Sequence, residues 1–399
     1  MDLVHVGPLP PVRSGVADYS AALLPYLRPH VRRIAVVVDG AAPELPPGVV
    51  DRVCDLARGD AWPPGLPLYQ MGNHFPYHRF VYRELQRRPG VVILHDGNLL
   101  PFVHKATLEQ GQQRAAFVRE VGFEGGAAGV AAAWTALDHG VPLPLEGYPL
   151  LARIARASLG VIVHSRCLRD RLLRVYPWAR VAVIPHLNLL PADLPAVPRA
   201  EMKRSLGLDP DGLLVAAFGF IAPARRLEPA LRAFARLRAT FPRACFVCVG
   251  ETAGGYDLSP LLAELSLGDA VRVTGYVPAE LFLRYLRATD VAVNLRYPTW
   301  GESSGTLIRL MACGVPTLVT DAGAFAELPD GAVIKIPAGP DEEAAVEAAL
   351  GKLLGSAEQR MGIGQVAREF VAVHGDPARV AGEMVAFLSA DPSLVIGHC

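Results

Sequence analysis

The residues best suited to chemistry form a short polar stretch, Gly301-Glu-Ser-Ser-Gly305, between two apolar segments. The preceding run, Val291-Ala-Val-Asn-Leu, is typical of a buried strand, and apolar helical spacing follows from Thr306 to Gly314. The first N–H groups of a helix are unpaired and lie at the positive end of its dipole, which favours anions. The stretch therefore predicts a phosphate site, or an ordinary surface helix with Ser303 or Ser304 as its N-cap.

A second candidate anion site follows the apolar run Leu213–Phe218. Arg225 and Arg226 lie in the connection to the next predicted helix, where a guanidinium could hold a diphosphate through two parallel hydrogen bonds. Lysine is rare in this chain, so arginine is expected wherever a fixed cation is needed.

Three histidines in the first half of the chain are candidate ligand contacts. His95 and Asp96 follow the strand-like run Val91–Leu94, and such a pair at the carboxyl end of a parallel strand commonly faces a ligand site. His95 could donate to a sugar hydroxyl or phosphate oxygen, or be satisfied by local backbone. His74 and His78 are four residues apart, but no third ligand is visible nearby, so no metal site is predicted.

The first predicted strand leads through a proline-containing loop to Arg13, Ser14 and Gly15 and then into a helical pattern. The loop has neither the GxGxxG nor the GxxxxGK[ST] pattern of nucleotide-binding turns. It is either an approach for an anion or sugar to the backbone, or an ordinary strand-to-helix turn.

These sites require an α/β framework, and the rest of the chain predicts one. Six short, nearly continuous apolar runs precede a proline-rich segment at 187–198, and six follow it, most of them separated by helix-length stretches. The pattern predicts two doubly wound Rossmann-like domains, which bind ligands at the carboxyl ends of their strands. The predicted divisions are 1–190, a linker at 191–200, a second domain at 201–375, and a helical segment at 376–399 that returns to the first domain.

Composition narrows the functional class. The 399 residues include 39 basic and 39 acidic side chains, which gives no general attraction to nucleic acid. Cysteines are scattered, and Cys245 and Cys248, three apart in a strand-like run, should point to opposite faces and not form a metal or redox pair. With no leader pattern and no apolar run of about 20 residues, a cytoplasmic protein without a transmembrane segment is expected.

Several motifs resemble the retaining GT-B glycosyltransferases of glycosyltransferase family 4, also called group 1. The similar segments are 8–20, 218–226, Thr274-Gly-Tyr-Val-Pro278, 301–314, Met311-Ala-Cys-Gly-Val-Pro316 and 321–329. The resemblance implies a GT-B fold, two doubly wound Rossmann-like domains facing a central cleft. It also implies transfer of a hexose from a nucleotide-diphosphate sugar to a hydroxyl acceptor, with retention of configuration and without a cofactor or metal.

The resemblance assigns roles to individual residues. It implies catalytic roles for His95, Arg225 and Glu302. It implies donor binding by Gly15, Gly219, Arg226, Gly275, Tyr276, Ser303, Ser304, Gly305, Thr306 and Arg309, and acceptor or sugar contacts by Arg13, Asn73, His78 and Asp96. The expected partners are a nucleotide sugar and a carbohydrate, lipid-linked or small-molecule acceptor, with no nucleic acid.

Three positions depart from the family pattern. Phe220 stands where the family has an arginine for the diphosphate, and Arg225 stands where it has a lysine. Glu302 can supply the first glutamate of the family's Glu-x7-Glu pair. The second glutamate, which holds the ribose in the family, falls on Arg309 or Leu310.

These departures keep two other functions open, a non-catalytic GT-B partner or sugar-binding subunit and a GT-B sugar-nucleotide epimerase. A cluster of arginines leaves a peripheral membrane contact open for a lipid acceptor, or else forms a solvated helix face: Arg79, Arg83, Arg87 and Arg88.

Overall fold

The computed structural model describes residues 1–40, 42–191 and 194–390, and the chain divides into two compact units. Among the described residues, the N-terminal unit comprises Met1–Leu187, Trp300–Ser303 and 377–390, and the C-terminal unit comprises Asn188–Thr299 and Ser304–Asp376. The domain limits set from the sequence stay predictions. Residues 192 and 193 of the predicted linker and 391–399 of the predicted C-terminal segment lie outside the described residues.

The N-terminal unit is built on a parallel sheet of seven described strands in the order β3-β2-β1-β4-β5-β6-β7. The strands are β1 (Asp2–Val6), β2 (Arg33–Val38), β3 (Arg52–Asp55), β4 (Leu66–Met71), β5 (Gly90–Leu94), β6 (Ser158–Val163) and β7 (Val181–Val183). The sequence predicts all of these except β3. That strand lies at the sheet edge and exposes its first two residues, so it carries no continuous apolar run.

The C-terminal unit is built on a parallel sheet of six described strands in the order β10-β9-β8-β11-β12-β13. The strands are β8 (Leu214–Phe218), β9 (Cys245–Val249), β10 (Val271–Val273), β11 (Val291–Asn294), β12 (Thr317–Thr320) and β13 (Ile334–Ile336). All six coincide with predicted runs. The central strands β8 and β11 are buried along their whole length because helices cover both faces of the sheet. The predicted α/β class with two doubly wound sheets is confirmed.

The helices connect the strands and end the chain. They are α1 (Gly15–Leu27), α2 (Phe75–Arg87), α3 (Leu100–His104), α4 (Arg114–His139), α5 (Ala152–Ala157), α6 (Arg166–Val175), α7 (Arg199–Ser205), α8 (Leu227–Leu237), α9 (Ser259–Glu264), α10 (Ala279–Ala288), α11 (Gly305–Ala312), α12 (Gly323–Ala326), α13 (Glu342–Gly355), α14 (Ala357–His374) and α15 (Pro377–Ser389). Within residues 1–40, 42–191 and 194–390, none of these helices combines the length and apolar character needed to cross a membrane.

Serine fixes the starting point of several helices. Ser14, Ser165, Ser304 and Ser356 each accept a hydrogen bond through the side chain from the backbone N–H three residues later. Each bond satisfies one of the N–H groups that a helix start leaves unpaired. Two of these helices, α1 and α11, begin in the stretches where the sequence predicts binding.

The paired cysteines of β9 lie on opposite faces of the sheet, as their spacing predicts. Cys248 is fully buried in the core that includes Phe234 and Phe246, and Cys245 packs against the core on the other face, beside Leu214. Both thiols are free. Burial raises the pKa of the Cys248 thiol to about 12, so it remains protonated at neutral pH.

Candidate functional site

The C-terminal unit has a pocket at the carboxyl ends of β8 and β11. Its lining residues are Ala217, Phe218, Gly219, Phe220, Ile221, Arg225, Leu227, Val293, Asn294 and Leu295. A 3-10 turn, Pro223–Arg225, brings Arg225 to this position after the strand ends. A guanidinium is always charged at physiological pH, so the pocket has a permanent cation in its wall.

Gly219 is required for this arrangement. Its φ of +97° lies in the region that favours glycine. A Cβ added there would lie 3.1 Å from an Nη atom of Arg225. The missing side chain therefore lets the guanidinium pack against the backbone at the end of β8.

Two further glycines continue this edge of the sheet. Gly250 follows β9 with a φ of +152°, and a Cβ on it would lie 2.1 Å from the carbonyl oxygen of Gly219. Gly275 follows β10 with a φ of +67° and forms a bridge to Gly250. Next to it Tyr276 is 50% exposed. The strand ends thus approach each other closely through backbone atoms, and the exposed ring of Tyr276 lies next to them.

Arg226, which follows the pocket residue Arg225, forms an ion pair with a residue of helix α13. It has a left-handed conformation with a φ of +52°, and its Nε donates to Glu342 Oε2 at 2.8 Å. Glu342 is 2% exposed and lies in the first turn of α13. The ion pair holds an uncommon backbone conformation directly after Arg225. Arg226 therefore has a structural contact that the sequence pattern does not indicate, and its donor contact stays a prediction.

The start of α11 combines a helix cap with a buried amide. Ser304 Oγ accepts from Leu307 N–H at 3.2 Å and donates to Asn294 Oδ1 at 3.3 Å. Ser304 is therefore an N-cap, which was the ordinary alternative for this stretch. Gly305 and Thr306 form the first turn, half-buried. Asn294 was not among the predicted site residues; its only sequence signal is a polar residue at the end of an apolar strand.

Glu302 belongs to the short segment Trp300–Ser303 that groups with the N-terminal unit. Its carboxylate is 6% exposed, and Oε2 accepts from the Trp300 N–H at 2.6 Å. In the same segment the Gly301 carbonyl accepts from Ser165 Oγ at 2.7 Å, and Ser303 is half-buried. Glu302 is thus an oriented carboxylate inside a fixed loop.

Arg309 lies on α11, in the C-terminal unit. Its guanidinium carbon is 5.8 Å from the ring centre of Phe282, a cation–π distance. Leu310, the other position where the family glutamate would fall, is fully buried. Arg309 is therefore the one of these two positions that retains an accessible polar group, and its half-buried side chain keeps the predicted ribose-side contact open.

In the N-terminal unit, His95 follows β5. Its Nε2 lies 2.8 Å from Gln70 Oε1, and Asp96 Oδ2 accepts from the Asn73 N–H at 3.0 Å. Burial lowers the pKa of His95 well below its ordinary value, and His164 and His186 lower it further. His95 is consequently a neutral imidazole, able to donate or accept a hydrogen bond but not to supply charge. Asn73 and Asp96 remain half-buried at this edge.

His78 lies deeper. It is 2% exposed, its Nδ1 is 3.1 Å from the Gln70 carbonyl, and burial lowers its pKa to about 4. This packing leaves almost no surface for the predicted sugar contact of His78.

Arg13 and Gly15, on the loop before α1, are exposed. No group of three or more histidine, cysteine, aspartate or glutamate side chains suited to a metal occurs in the described part of the chain.

The predicted arginine cluster on α2 is organised around one buried carboxylate. Glu84 is 2% exposed and forms ion pairs with Arg83, Arg87 and Arg88. Three of the four arginines considered for a membrane contact therefore neutralise Glu84, while Arg79 is exposed.

Comparison with known proteins identifies the family to which the C-terminal part of the chain is similar. Residues 198–370 match the family described as Glycosyl transferases group 1. The chain carries a group 1 glycosyltransferase domain. This domain contains the pocket of Arg225, the glycines at the strand ends and α11, and the resemblance to group 1 glycosyltransferases is confirmed.

Related sequences include D-inositol 3-phosphate glycosyltransferases. The one from Nocardia farcinica is 28% identical over 288 residues, which are 69% of this chain and 57% of the relative. The one from Thermobispora bispora is 32% identical over 168 residues, 38% of this chain and 37% of the relative. The chain thus spans between about a third and three fifths of the length of these relatives.

Solved structures show the same fold across the chain. Sucrose-phosphate synthase from Thermosynechococcus elongatus has a TM-score of 0.68 at 17% identity, covering 98% of both chains. Anabaena HepE in complex with UDP and glucose has a TM-score of 0.65 at 14% identity, covering 98% of this chain and all of that one. The group 1 domain therefore belongs to a two-domain GT-B fold.

Proposed function

We propose that this protein is a hexosyltransferase that moves a sugar from a nucleotide-diphosphate sugar to a hydroxyl acceptor, with retention of configuration and without a metal. The observation that carries the proposal is the pocket at the end of β8, where Arg225 lies within the group 1 domain. Transfer with departure of a diphosphate requires a cation or preorganised donors at the leaving group, and Arg225 supplies the charge.

In the proposed reaction the bond between the anomeric carbon and the diphosphate oxygen breaks, and that oxygen keeps the electron pair. The acceptor oxygen bonds to the same carbon on the same face, and the acceptor's proton passes to the departing diphosphate. Arg225 and the N–H groups in the first turn of α11 stabilise the developing negative charge. Glu302 orients hydroxyls of the donor sugar, and the neutral imidazole of His95 contacts the sugar.

The donor and acceptor classes are part of the same proposal. Because HepE is described in complex with UDP and glucose, UDP-sugars are the first donors to test. The acceptor is a hydroxyl compound, either a carbohydrate, a lipid-linked molecule or a small molecule. Because related sequences are named D-inositol 3-phosphate glycosyltransferase, D-inositol 3-phosphate is a suitable first acceptor to test.

The test is a thermal-shift panel with UDP-glucose, UDP-N-acetylglucosamine, GDP-mannose and ADP-glucose. A ligand at about 100 times its Kd stabilises the folded state by about 2.7 kcal/mol. The true donor should therefore raise the melting temperature more than the other nucleotide sugars do. The best donor is then incubated with acceptors, and the anomeric configuration of the product is read by proton NMR. We expect the donor's configuration to be kept and turnover to persist in EDTA; an inverted product or loss of turnover in EDTA would contradict those parts of the proposal.

A non-catalytic sugar-binding subunit is the second candidate. Phe220, which occupies the position of a family arginine, is 58% exposed and lines the same pocket as Arg225. A site with one fewer cation would bind a donor but stabilise the leaving group less. Binding in the thermal-shift panel without product from any acceptor would favour this candidate, and conversion of the donor alone would indicate an epimerase.

A further inference from the structure

Asn294 is the last residue of β11 and is 4% exposed. Its Nδ2 is buried and has no hydrogen-bond partner among the residues that the structure describes. A buried amide donor left without a partner costs about 1–3 kcal/mol. Native structures rarely keep such a group unless it has a use.

The orientation of this amide follows from its neighbour. Ser304 Oγ donates to Asn294 Oδ1, and the same oxygen accepts from the Leu307 N–H. The hydroxyl is therefore committed at once to the helix cap and to the amide oxygen. Because Oδ1 is taken by Ser304, Nδ2 is the end of the amide that remains for another group.

The surroundings indicate what that group is. Asn294 lines the same pocket as Arg225 and Gly219, at the carboxyl ends of neighbouring strands β11 and β8. An amide donor and a guanidinium in the wall of one pocket favour a ligand whose acceptor is also an anion, since charge-assisted hydrogen bonds are about twice as strong as neutral ones. Phosphate oxygens meet both requirements.

We propose that Asn294 is a ligand-binding residue that donates through Nδ2 to a phosphate oxygen of the leaving diphosphate. The assignment rests on the proposed function, because it takes the nucleotide-diphosphate sugar as the occupant of this pocket. Asn294 thereby supplies a neutral donor in the pocket where Phe220 replaces the arginine expected from the family. The Ser304 contact orients the amide, so that Nδ2 is the donor available to a ligand.

The test compares wild-type protein with Asn294→Leu by titration calorimetry, using UDP, GDP and inorganic pyrophosphate as separate probes. Leucine has a similar size and no donor. We expect roughly tenfold or greater weakening for each probe that the wild type binds. We also expect the melting temperature of the ligand-free variant to change little, because removal of the unpartnered buried amide offsets loss of the acceptor for the Ser304 hydroxyl.

Asn98→Leu is the matched control. Asn98 is 2% exposed, but its Nδ2 donates to the Leu145 carbonyl at 3.4 Å and its Oδ1 accepts from Leu100 N–H at 2.8 Å. This substitution should lower the melting temperature and leave probe affinity unchanged. An amide that binds the ligand should affect probe affinity when it is replaced, whereas a structural amide should affect the melting temperature.

Asn294→Asp is the second variant, and it keeps the shape and the Ser304 contact while removing both amide hydrogens. We expect it to bind the probes less tightly than Asn294→Leu does, because a carboxylate repels the diphosphate. Unchanged affinity in whichever variants fold would overturn the role of Asn294 alone. Weaker UDP binding with unchanged pyrophosphate binding would also overturn it, by moving the contact to the nucleoside. A wild type that binds neither these three probes nor ADP would overturn the proposed function together with it.

Discussion

The carboxyl edges of the two sheets have the same topological position and very different chemistry. In the C-terminal unit the edge has an arginine, three glycines of positive φ and an amide without a partner among the described residues. In the N-terminal unit the edge has packed aromatic and imidazole rings, with Asn73 and Asp96 beside them. Parallel α/β sheets place ligands at this edge in general, so the residues at the strand ends decide what each edge can bind.

The N-terminal edge is centred on Tyr19, which is fully buried. The ring centres of His95, His164 and His186 lie 4.9, 5.2 and 4.9 Å from the Tyr19 ring centre. Burial lowers the pKa of His164 to about 4. Neutral rings packed in this way can exchange hydrogen bonds with hydroxyls but offer no fixed charge, whereas Arg225 offers charge at any physiological pH.

The largest expected effect concerns the backbone at the C-terminal edge. Gly250→Ala would place Cβ 2.1 Å from the Gly219 carbonyl oxygen, at a φ of +152°. We expect a loss of about 3 kcal/mol in the free energy of unfolding, measured by urea denaturation, from overpacking and backbone strain. Gly254→Ala is the control, since a Cβ there meets no atom within 4 Å. Equal stability of the two variants would show that the close approach of β8 and β9 is not needed.

The next effect concerns charge at the same edge. Arg225→Ala should weaken donor binding or turnover by tenfold or more, because a hydrogen bond to a charged group contributes about 1.5–3 kcal/mol. Arg225→Lys should lose less, since it keeps the cation. Arg232→Ala removes an arginine paired with Glu228 and Glu264 on the surface, and should leave both quantities unchanged. A folded Arg225→Ala protein with wild-type donor affinity and turnover would remove the main chemical difference between the edges.

A third prediction tests whether the buried histidines of the N-terminal unit stay neutral, using His5, which is fully buried in β1. Burial lowers the pKa of His5 to about 3. Below about pH 6.5 the unfolded chain binds protons that folded His5 does not. The free energy of unfolding should therefore decrease as the pH falls from about 6.5 to about 4, by about 1.4 kcal/mol per pH unit for each such group.

His5→Leu removes one of these groups, so its unfolding free energy should depend less steeply on pH over that range. His139→Leu, which removes an exposed histidine instead, serves as the control. Urea denaturation at several pH values measures both. An unchanged slope for His5→Leu would mean that His5 does not stay neutral in the folded protein.

The smallest expected effect concerns Arg309 on α11. Arg309→Glu places a carboxylate near the position where the family holds the ribose, and we expect roughly threefold changes in relative affinity among UDP, GDP and ADP. Arg309→Gln, whose side chain is neither positive like arginine nor negative like glutamate, should change the relative affinities for the three nucleotides less. The same nucleotide ranking in all three proteins would indicate that α11 does not contact the ribose.

Much of the fold follows from local pattern. Twelve apolar runs correspond to strands because strands of a parallel sheet are buried on both faces and read as continuous apolar segments. β3 was missed because an edge strand needs less burial, and Arg52 and Val53 are exposed. The start of α11 was predicted because glycine and serine mark helix starts by local hydrogen bonding.

The site was predicted less completely, for a physical reason. Arg225 was identified from its position after a strand, which is a local property. The pairing of Arg226 with Glu342 joins residues far apart in sequence, and no local pattern indicates it. The sequence also does not show that His78 is almost fully buried against the Gln70 carbonyl, whereas His95 keeps some exposure at the carboxyl edge of the sheet.

The sequence alone therefore determined the two α/β sheets, the helix starts and the group 1 motifs, because these depend on residue type and short-range spacing. The tertiary structure decided which polar groups are already satisfied. It paired Arg226 with Glu342, enclosed His78, bonded Asn294 Oδ1 to Ser304 and left Nδ2 without a partner among the described residues. Hydrogen-bond satisfaction depends on contacts between distant residues, and only the folded chain brings those residues together.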